Sequence, residues 1–104
     1  MTELVAVAPK AKFKEDILTS FDVEGVQVMG IIIDGNYIVT SRICTHKEFD
    51  LTKGHYAEGY VTCTLHTSTF DLEDGDALNP PATEPLRTYK TVVKNDIVYI
   101  DIDD

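Results

Sequence analysis

At 104 residues, the chain is long enough for one hydrophobic core but too short for a catalytic domain with its own substrate cavity and lid, so we expect a single domain over residues 1–104. Its 18 Asp and Glu residues outnumber its 9 Lys and Arg residues, and the formal net charge of -9 argues against binding to nucleic acid or an anionic membrane and favours a partner with a basic face. No apolar run approaches the length of a membrane span, and the run at residues 4–8 is too short for a signal peptide, so we expect a cytoplasmic protein.

The N-terminal residues predict one strand, a loop and a second strand. Residues 1–8 carry a short apolar run that is typical of a strand and is closed by Pro9, whereas the charged stretch 10–16 lacks helical spacing and is expected to be a loop. From residue 17 the apolar side chains alternate, which predicts a strand with one apolar face. That face carries Ile17, Thr19, Phe21 and Val23.

Two hairpins are predicted around one central strand. Glu24-Gly25 supplies turn residues, and the strand that follows is expected over residues 26–33. Its dense apolar run at residues 28–33 predicts a strand that is covered on both faces. Asp34-Gly35-Asn36 is a strong hairpin turn, after which residues 37–39 are expected to lead along a strand toward the first cysteine.

The middle of the chain predicts short strands separated by polar excursions. Residues 47–58 are polar and interrupted by glycine, which indicates a loop with one short strand. Residues 60–62 and 69–72 are expected to be strands, and residues 73–76 are expected to form a hairpin turn of the Asp-Gly kind. The Asn79-Pro80-Pro81 segment then leaves the sheet, because proline has no N–H to donate to a ladder.

The C-terminal residues predict a last hairpin, with strands over residues 86–93 and 97–102 and a turn at residues 94–96. Many short strands with frequent Gly, Asp and Asn turns, and almost no helical periodicity, indicate an all-β fold class, an antiparallel β-sandwich or barrel. Residues 42–81 are interpreted as a subdomain inserted into that β-sandwich base.

Both cysteines and two of the three histidines fall in two short motifs, Cys44-Thr45-His46 and Cys63-Thr64-Leu65-His66. Each motif offers one thiolate and one imidazole, so the pair indicates a metal site. A [2Fe–2S] cluster fits this donor set when one iron takes two thiolates and the other takes two imidazoles. Two cysteines and two histidines also satisfy a structural zinc ion, although a one-residue gap between cysteine and histidine is tight for a zinc finger. A zinc-stabilised interaction module is therefore an alternative function.

No set of residues predicts catalysis. Ser68 follows His66 by two residues, but a histidine that binds iron cannot serve as its general base. The carboxylates are numerous, yet none has an apolar setting in the sequence that indicates a catalytic acid or base. We therefore expect neither an enzyme activity nor a small-molecule substrate, and His55 is interpreted as an exposed loop residue.

The two motifs and their surroundings resemble the Rieske-type [2Fe–2S] ferredoxins over roughly residues 17–102. The similar positions are Cys44-Thr45-His46, Gly54, Glu58-Gly59, Cys63, His66, Phe70-Asp71, Gly75 and Pro80-Pro81-Ala82. The sequence is most similar to the soluble electron carriers that serve aromatic-ring oxygenases. This resemblance implies one Rieske [2Fe–2S] cluster and a one-electron carrier that receives electrons from a reductase and passes them to a terminal oxygenase or a similar acceptor. A Rieske subunit of a larger oxidoreductase, such as a nitrite-reductase-like complex, is a further hypothesis.

The resemblance also assigns roles to individual residues. Cys44 and Cys63 become the thiolate ligands of the inner iron, and His46 and His66 become the imidazole ligands of the outer, solvent-facing iron. The Pro80-Pro81 segment resembles the loop that covers the cluster in this family and keeps water from its sulfides. The residues that the resemblance places next to the cluster are Lys47, Leu65, Thr67, Ser68, Phe70 and Pro81.

Three departures from the family pattern bear on the cluster. Thr67 stands where many members have glycine, which predicts a differently shaped turn after the second histidine. The respiratory branch has a disulfide near the cluster, and this chain has no further cysteine to form one. In that branch a serine and a tyrosine hydroxyl bond to the cluster sulfurs, whereas here Ser68 is retained and Phe70 replaces the tyrosine. We therefore expect a reduction potential in the lower part of the Rieske range of about −150 to +300 mV.

Overall fold

The computed structural model describes residues 3–45, 48–64 and 67–102. In these residues the chain forms ten strands and two 3-10 turns, at Lys10–Lys12 and Leu51–Lys53. None of its helical segments there has the length and apolar character needed to cross a membrane. The strands are β1 (Leu4–Pro9), β2 (Thr19–Val23), β3 (Val26–Ile33), β4 (Asn36–Ser41), β5 (His55–Ala57), β6 (Tyr60–Thr62), β7 (Thr69–Asp71), β8 (Thr88–Tyr89), β9 (Thr91–Lys94) and β10 (Ile97–Asp101).

The strands form three sheets, and every pair of neighbouring strands is antiparallel. The first sheet has the order β1-β10-β9, the second β2-β3-β4-β8 and the third β5-β6-β7. The antiparallel all-β fold expected from the sequence is therefore confirmed. All three strands of the third sheet lie within residues 42–81, the segment interpreted as an insertion.

Tight turns close the hairpins of the second sheet, because both residues of each turn adopt the left-handed conformation. Glu24 and Gly25 join β2 to β3 with φ 50° and 80°, and Asp34 and Gly35 join β3 to β4 with φ 51° and 80°. Positive φ at both positions is typical of the type I′ turn, whose twist matches that of the flanking strands. Both turns lie where the sequence predicted them, and β3 has the predicted bounds.

The central strand β3 stands between two groups of buried residues. The base core joins the first two sheets and comprises Val5, Phe13, Val23, Val28, Val39, Tyr89, Val98 and Ile100. The site core comprises Met29, Ile31, Cys44, Leu51, Val61, Cys63, Phe70, Leu72, Ala82 and Leu86. Because side chains alternate along a strand, Val28 packs in the base core while Met29 and Ile31 pack in the site core. The prediction that this strand is covered on both faces is confirmed.

The strand expected over residues 86–93 is divided between two sheets. β8 pairs with β4, whereas β9 pairs with β10. Between them, the Lys90 carbonyl accepts a hydrogen bond from the Asp101 N–H (3.0 Å), so the chain passes from the second sheet to the first at this residue. The expected single strand was wrong because its alternating pattern does not show which neighbour each half will take.

Two smaller differences lie at turns. The second strand begins at Thr19 rather than at residue 17, because Asp16 has φ 57° and Ile17 forms a single bridge with Lys14. The hairpin expected after residues 73–76 is reduced to one bridge, between Phe70 and Ala77. The turn there folds back on Asp71, whose carbonyl accepts from the Gly75 N–H (2.7 Å).

Candidate metal centre

The first motif begins a closed loop that follows β4. The Cys44 N–H donates to the Phe49 carbonyl (2.9 Å), and the Leu51 N–H donates to the Arg42 carbonyl (2.8 Å). These two bonds close residues 44–49, which we name the first ligand loop. Cys44 therefore stands at the start of this loop, and it is buried.

The second motif begins a closed loop between β6 and β7. The Cys63 N–H donates to the Ser68 carbonyl (2.8 Å), and the Thr67 N–H donates to the Cys63 carbonyl (2.7 Å). We name residues 63–68 the second ligand loop. Thr67 has φ 60°, a left-handed conformation that glycine adopts freely and that is uncommon for a β-branched residue. The loop thus keeps a left-handed turn at the position where many family members have glycine.

The two ligand loops share one backbone frame. In each loop the cysteine N–H donates to the carbonyl of the residue five positions later. Neither cysteine is in a disulfide, both are buried, and both belong to the site core. The structure therefore places Cys44 and Cys63 equivalently, at the starts of two matching loops.

Four residues predicted at this site lie outside the described residues: His46, Lys47, Leu65 and His66. The assignment of the two histidines as ligands, and of the other two residues as neighbours of the cluster, stays a prediction. The assignment of the histidines agrees with the hydrogen bonds of the two ligand loops. Each histidine falls within a loop whose two ends are joined by hydrogen bonds of the described residues.

A third segment, residues 79–84, binds both ligand loops. The Asn79 side chain accepts from the Thr69 N–H (2.6 Å) and donates to the Thr67 carbonyl (3.0 Å). On the other side, the Thr45 hydroxyl donates to the Glu84 carbonyl (2.8 Å). Sequence reasoning identified the two prolines of this segment, which are joined by a cis peptide bond, but missed the contacts of Asn79 and Thr45. In the sequence, Asn79 stands before Pro80, which indicates a turn but does not show which backbone groups the Asn79 side chain binds.

Ser68 is completely buried next to this segment. Its hydroxyl oxygen accepts a hydrogen bond from the Ala82 N–H (3.0 Å). A hydroxyl also has one hydrogen to donate, and no acceptor for it is found among the described residues. Phe70 is equally buried in the site core and has no hydroxyl to add. The hydroxyl hydrogen of Ser68 is therefore available to a group that binds at this site.

A comparison with known protein families decides which metal group these loops serve. Residues 3–90 match the family model of the Rieske [2Fe-2S] domain. The chain belongs to the Rieske [2Fe-2S] domain family. The cofactor of a Rieske domain is one [2Fe–2S] cluster, so the zinc alternative is not supported.

Individual Rieske proteins resemble this chain over most of their length. The ferredoxin component of the naphthalene 1,2-dioxygenase system from Pseudomonas putida is 31% identical over 97 residues, which cover 93% of this chain and 92% of that protein. The biphenyl dioxygenase ferredoxin subunit of Pseudomonas sp. strain KKS102 is 33% identical over 88 residues, which cover 84% and 79% of the two chains. The structure of the Sphingomonas yanoikuyae B1 ferredoxin superposes with a TM-score of 0.87 at 26% identity and covers 95% of this chain and 98% of that one.

The donor chemistry of this Rieske domain fits a [2Fe–2S] cluster. A thiolate carries a charge, and an isolated charge is costly in an apolar interior. The two buried cysteines of the site core are therefore suited to metal ligation, in which the positive iron balances them. The buried Ser68 hydroxyl adds a hydrogen-bond donor of the kind that tunes iron–sulfur sites.

One cleft of the Rieske domain lies away from the two described cysteines of its metal centre. It has a volume of about 420 Å³ and lies where the β3-β4 and β5-β6 turns approach each other. Its acidic lining residues are Asp34, Glu58, Asp71 and Glu73. Tyr60, which also lines it, is at the opposite end of β6 from Cys63. Of the two predicted ligands that the structure describes, neither Cys44 nor Cys63 lines this cleft.

Tyr56 links the Rieske domain's third sheet to the base. Its hydroxyl donates to an Asp16 carboxylate oxygen (2.8 Å) and accepts from the Gly59 N–H (3.1 Å). Partial burial, followed by the hydrogen bond to Asp16, raises the pKa of the Tyr56 phenol above its ordinary value. The neutral phenol is therefore the form that the folded chain stabilises.

Proposed function

We propose that this chain is a one-electron carrier, the Rieske ferredoxin of an oxygenase system, which takes electrons from a reductase and delivers them to a terminal oxygenase or a similar acceptor. The observation that carries the proposal is the pair of matching loops, each with a buried cysteine at its start. The relatives named above as ferredoxin components of dioxygenase systems support the same function. The final substrate of such a system is bound by the acceptor and not by this chain.

In this proposal Cys44 and Cys63 hold one iron, and His46 and His66 hold the other. The bound cluster supplies the one-electron chemistry. The protein supplies the position and surroundings of that cluster: the site core excludes water behind the cysteines, and residues 79–84 fix both ligand loops. Residues 42–81 then act as the cluster-binding subdomain of a single domain that spans residues 1–104.

A free carrier is favoured over a subunit of a larger oxidoreductase. The support is the alignment with the ferredoxin component of the naphthalene 1,2-dioxygenase system, which covers 93% of this chain and 92% of that protein. We propose a cytoplasmic location, which is supported by the likeness to the ferredoxin component of the naphthalene 1,2-dioxygenase system. Size-exclusion chromatography of the native protein separates a free carrier from a bound subunit.

The proposal is tested by analysis of the purified protein followed by reconstitution of electron transfer. We expect two irons and two acid-labile sulfides per chain, a rhombic electron paramagnetic resonance (EPR) signal after reduction, and reduction of a partner oxygenase only when reductase and this chain are both present. If the purified protein contained zinc and no acid-labile sulfide, it would have no [2Fe–2S] cluster, and the proposed carrier function would be wrong. A cluster-containing protein that transfers no electrons to any oxygenase of the class would favour the larger-complex hypothesis instead.

A further inference from the structure

Arg42 joins the base to the first ligand loop through its main chain. Its N–H donates to the Gln27 carbonyl on β3 (3.2 Å), and its carbonyl accepts from the Leu51 N–H (2.8 Å) beyond the loop. Cys44 follows only two residues later. Arg42 therefore links β3 to the far end of the first ligand loop two residues before the first cysteine.

The Arg42 side chain makes a second connection between the same two regions. It is only 9% exposed, and its Nη2 donates to an Asp22 carboxylate oxygen on β2 (3.0 Å). Its Nε lies 3.7 Å from a carboxylate oxygen of Asp50 and has no hydrogen-bond acceptor among the described residues. A buried guanidinium thus stands between one carboxylate of the base and one at the end of the first ligand loop.

Asp50 is itself held in place. Its backbone forms an antiparallel bridge with Ile43, and one oxygen of its side chain accepts from both the N–H (3.0 Å) and the hydroxyl (2.6 Å) of Thr52. The other carboxylate oxygen is the one that faces Arg42. Because Asp50 cannot follow a moving partner, the guanidinium sets the distance between β2 and the end of the loop.

At the described residues of the second ligand loop, the connection to the neighbouring strand is made by strand pairing. The residue two positions before Cys63 is Val61, and it pairs with Phe70 in the β6-β7 ladder. The next pair, Thr62 and Thr69, adds a hydrogen bond between two neutral hydroxyls (3.1 Å). In the described residues the equivalent ladder of the first loop is the single bridge between Ile43 and Asp50. The position of the first ligand loop therefore depends on the Arg42 side chain, whereas the position of the second depends on the pairing of β6 with β7.

We infer that Arg42 is a positioning residue for the metal centre, which holds the first ligand loop and Cys44 against the base through Asp22 and Asp50. This inference rests on the proposed function, since it assumes that Cys44 binds the cluster. Its effect is specific to one loop. Loss of the guanidinium removes both the hydrogen bond to Asp22 and the charge that faces Asp50, so the loop would be held to the base by its backbone hydrogen bonds.

The test compares holoprotein variants by chelator-driven iron release, EPR of the reduced cluster and reduction potential. For Arg42→Met we expect release at least about tenfold faster, the size expected when a hydrogen bond between charged groups is lost, together with shifted EPR g-values. Arg42→Lys keeps the charge and should recover part of the loss. The matched control is Arg87→Met, which removes the same charge from an exposed arginine that donates to the Ile102 carbonyl and stacks on Tyr89. The control should keep both the release rate and the g-values.

Two further variants keep the test decisive if Arg42→Met folds poorly. Asp22→Asn changes a side chain that is 73% exposed and removes the charge but not the acceptor oxygen in the base, so we expect a two- to threefold faster release, the size of a weak surface pair. Asp50→Asn keeps an oxygen for the Thr52 N–H and removes the charge. In the double variant with Arg42→Met, we expect Asp50→Asn to raise the rate of iron release by a smaller factor than it does alone.

Equal release rates and unchanged g-values in Arg42→Met and Arg87→Met would overturn this inference and leave the electron-carrier function intact. Strictly additive effects of Arg42→Met and Asp50→Asn would also overturn it, because the two residues would then act separately. A wild-type protein without iron and sulfide would overturn the proposed function itself, and the inference with it.

Discussion

The backbone N–H of Ala82 donates a hydrogen bond to the hydroxyl oxygen of Ser68, and both residues are buried. The bond joins the second ligand loop to residues 79–84, and in it the hydroxyl oxygen is the acceptor. Since the oxygen is used as an acceptor, the hydroxyl hydrogen points elsewhere and is the one that a cluster sulfur can accept. A hydrogen bond to a sulfur stabilises the reduced cluster, which carries one more negative charge.

We therefore expect Ser68→Ala to lower the reduction potential. A hydrogen bond contributes about 1 kcal/mol, which for a one-electron couple corresponds to roughly 40 mV. The matched control is Thr91→Val, because the Thr91 hydroxyl also bonds a distant backbone group, the Tyr37 carbonyl (2.9 Å), away from the ligand loops. Redox titration should show a lower potential for Ser68→Ala alone. Equal potentials in the two variants would exclude the hydroxyl as a donor to the cluster.

The ligand assignment predicts which residues the cluster needs. We expect Cys44→Ser, Cys63→Ser, His46→Ala and His66→Ala each to lose most of the bound iron and sulfide, because each removes one of the four bonds that hold the cluster. His55→Ala is the control, since His55 is exposed on β5. Iron and sulfide analysis of the purified variants provides the measurement. Full iron content in either histidine variant would show that another residue completes the site.

Asn79 predicts a loss of stability that sequence reasoning did not anticipate. Its side chain makes two hydrogen bonds to the backbone of residues 67 and 69, so Asn79→Ala should lower the free energy of unfolding by about 1–2 kcal/mol. Asn79→Asp keeps the acceptor for the Thr69 N–H and loses the donor to the Thr67 carbonyl, so its loss should be smaller. Denaturant unfolding of the holoproteins provides the comparison. If Asn79→Ala unfolded at the same denaturant concentration as the wild type, the two hydrogen bonds of Asn79 would make no net contribution to stability.

The net charge of -9 predicts how salt affects electron transfer. With a partner that has a basic face, the second-order rate should fall as ionic strength rises, because salt screens the attraction that steers the encounter. Reduction by a small anionic reagent is the control, and its rate should rise with salt because like charges repel. Stopped-flow traces over a range of salt concentrations give both trends. A partner reaction that accelerates with salt would mean that its docking face is not basic.

Tyr56 predicts a loss of stability in alkali. Its folded pKa is raised above 10.0, so the stability that its neutral phenol contributes is present below the unfolded pKa and is lost as pH rises through the folded pKa. Tyr56→Phe removes the hydrogen bond to Asp16 and should be less stable near neutral pH, but its stability should fall less steeply above pH 10. Unfolding curves at several alkaline pH values test this. Parallel pH profiles for the two proteins would assign the alkaline loss to other groups.

The parts of the structure that were predictable from sequence are those with local causes. The turns at Glu24-Gly25 and Asp34-Gly35 need only two neighbouring residues in the left-handed conformation, and both were located correctly. The division of residues 86–93 between two sheets depends on a bond from Asp101, which is distant in sequence, so no local pattern could reveal it. At the site, the motif of Cys44 identified the donor atoms, whereas the buried link from Arg42 joins residues that are 20 positions apart.

The place of β3 between the base core and the site core has a consequence for how the protein comes apart. Val28 completes one core while Met29 and Ile31 complete the other, so neither can persist without this strand. If β3 unfolds, the site core no longer encloses the cluster, so a partly unfolded molecule cannot retain its iron. Heating should therefore bleach the colour of the cluster and unravel the sheets in one cooperative event, at one temperature.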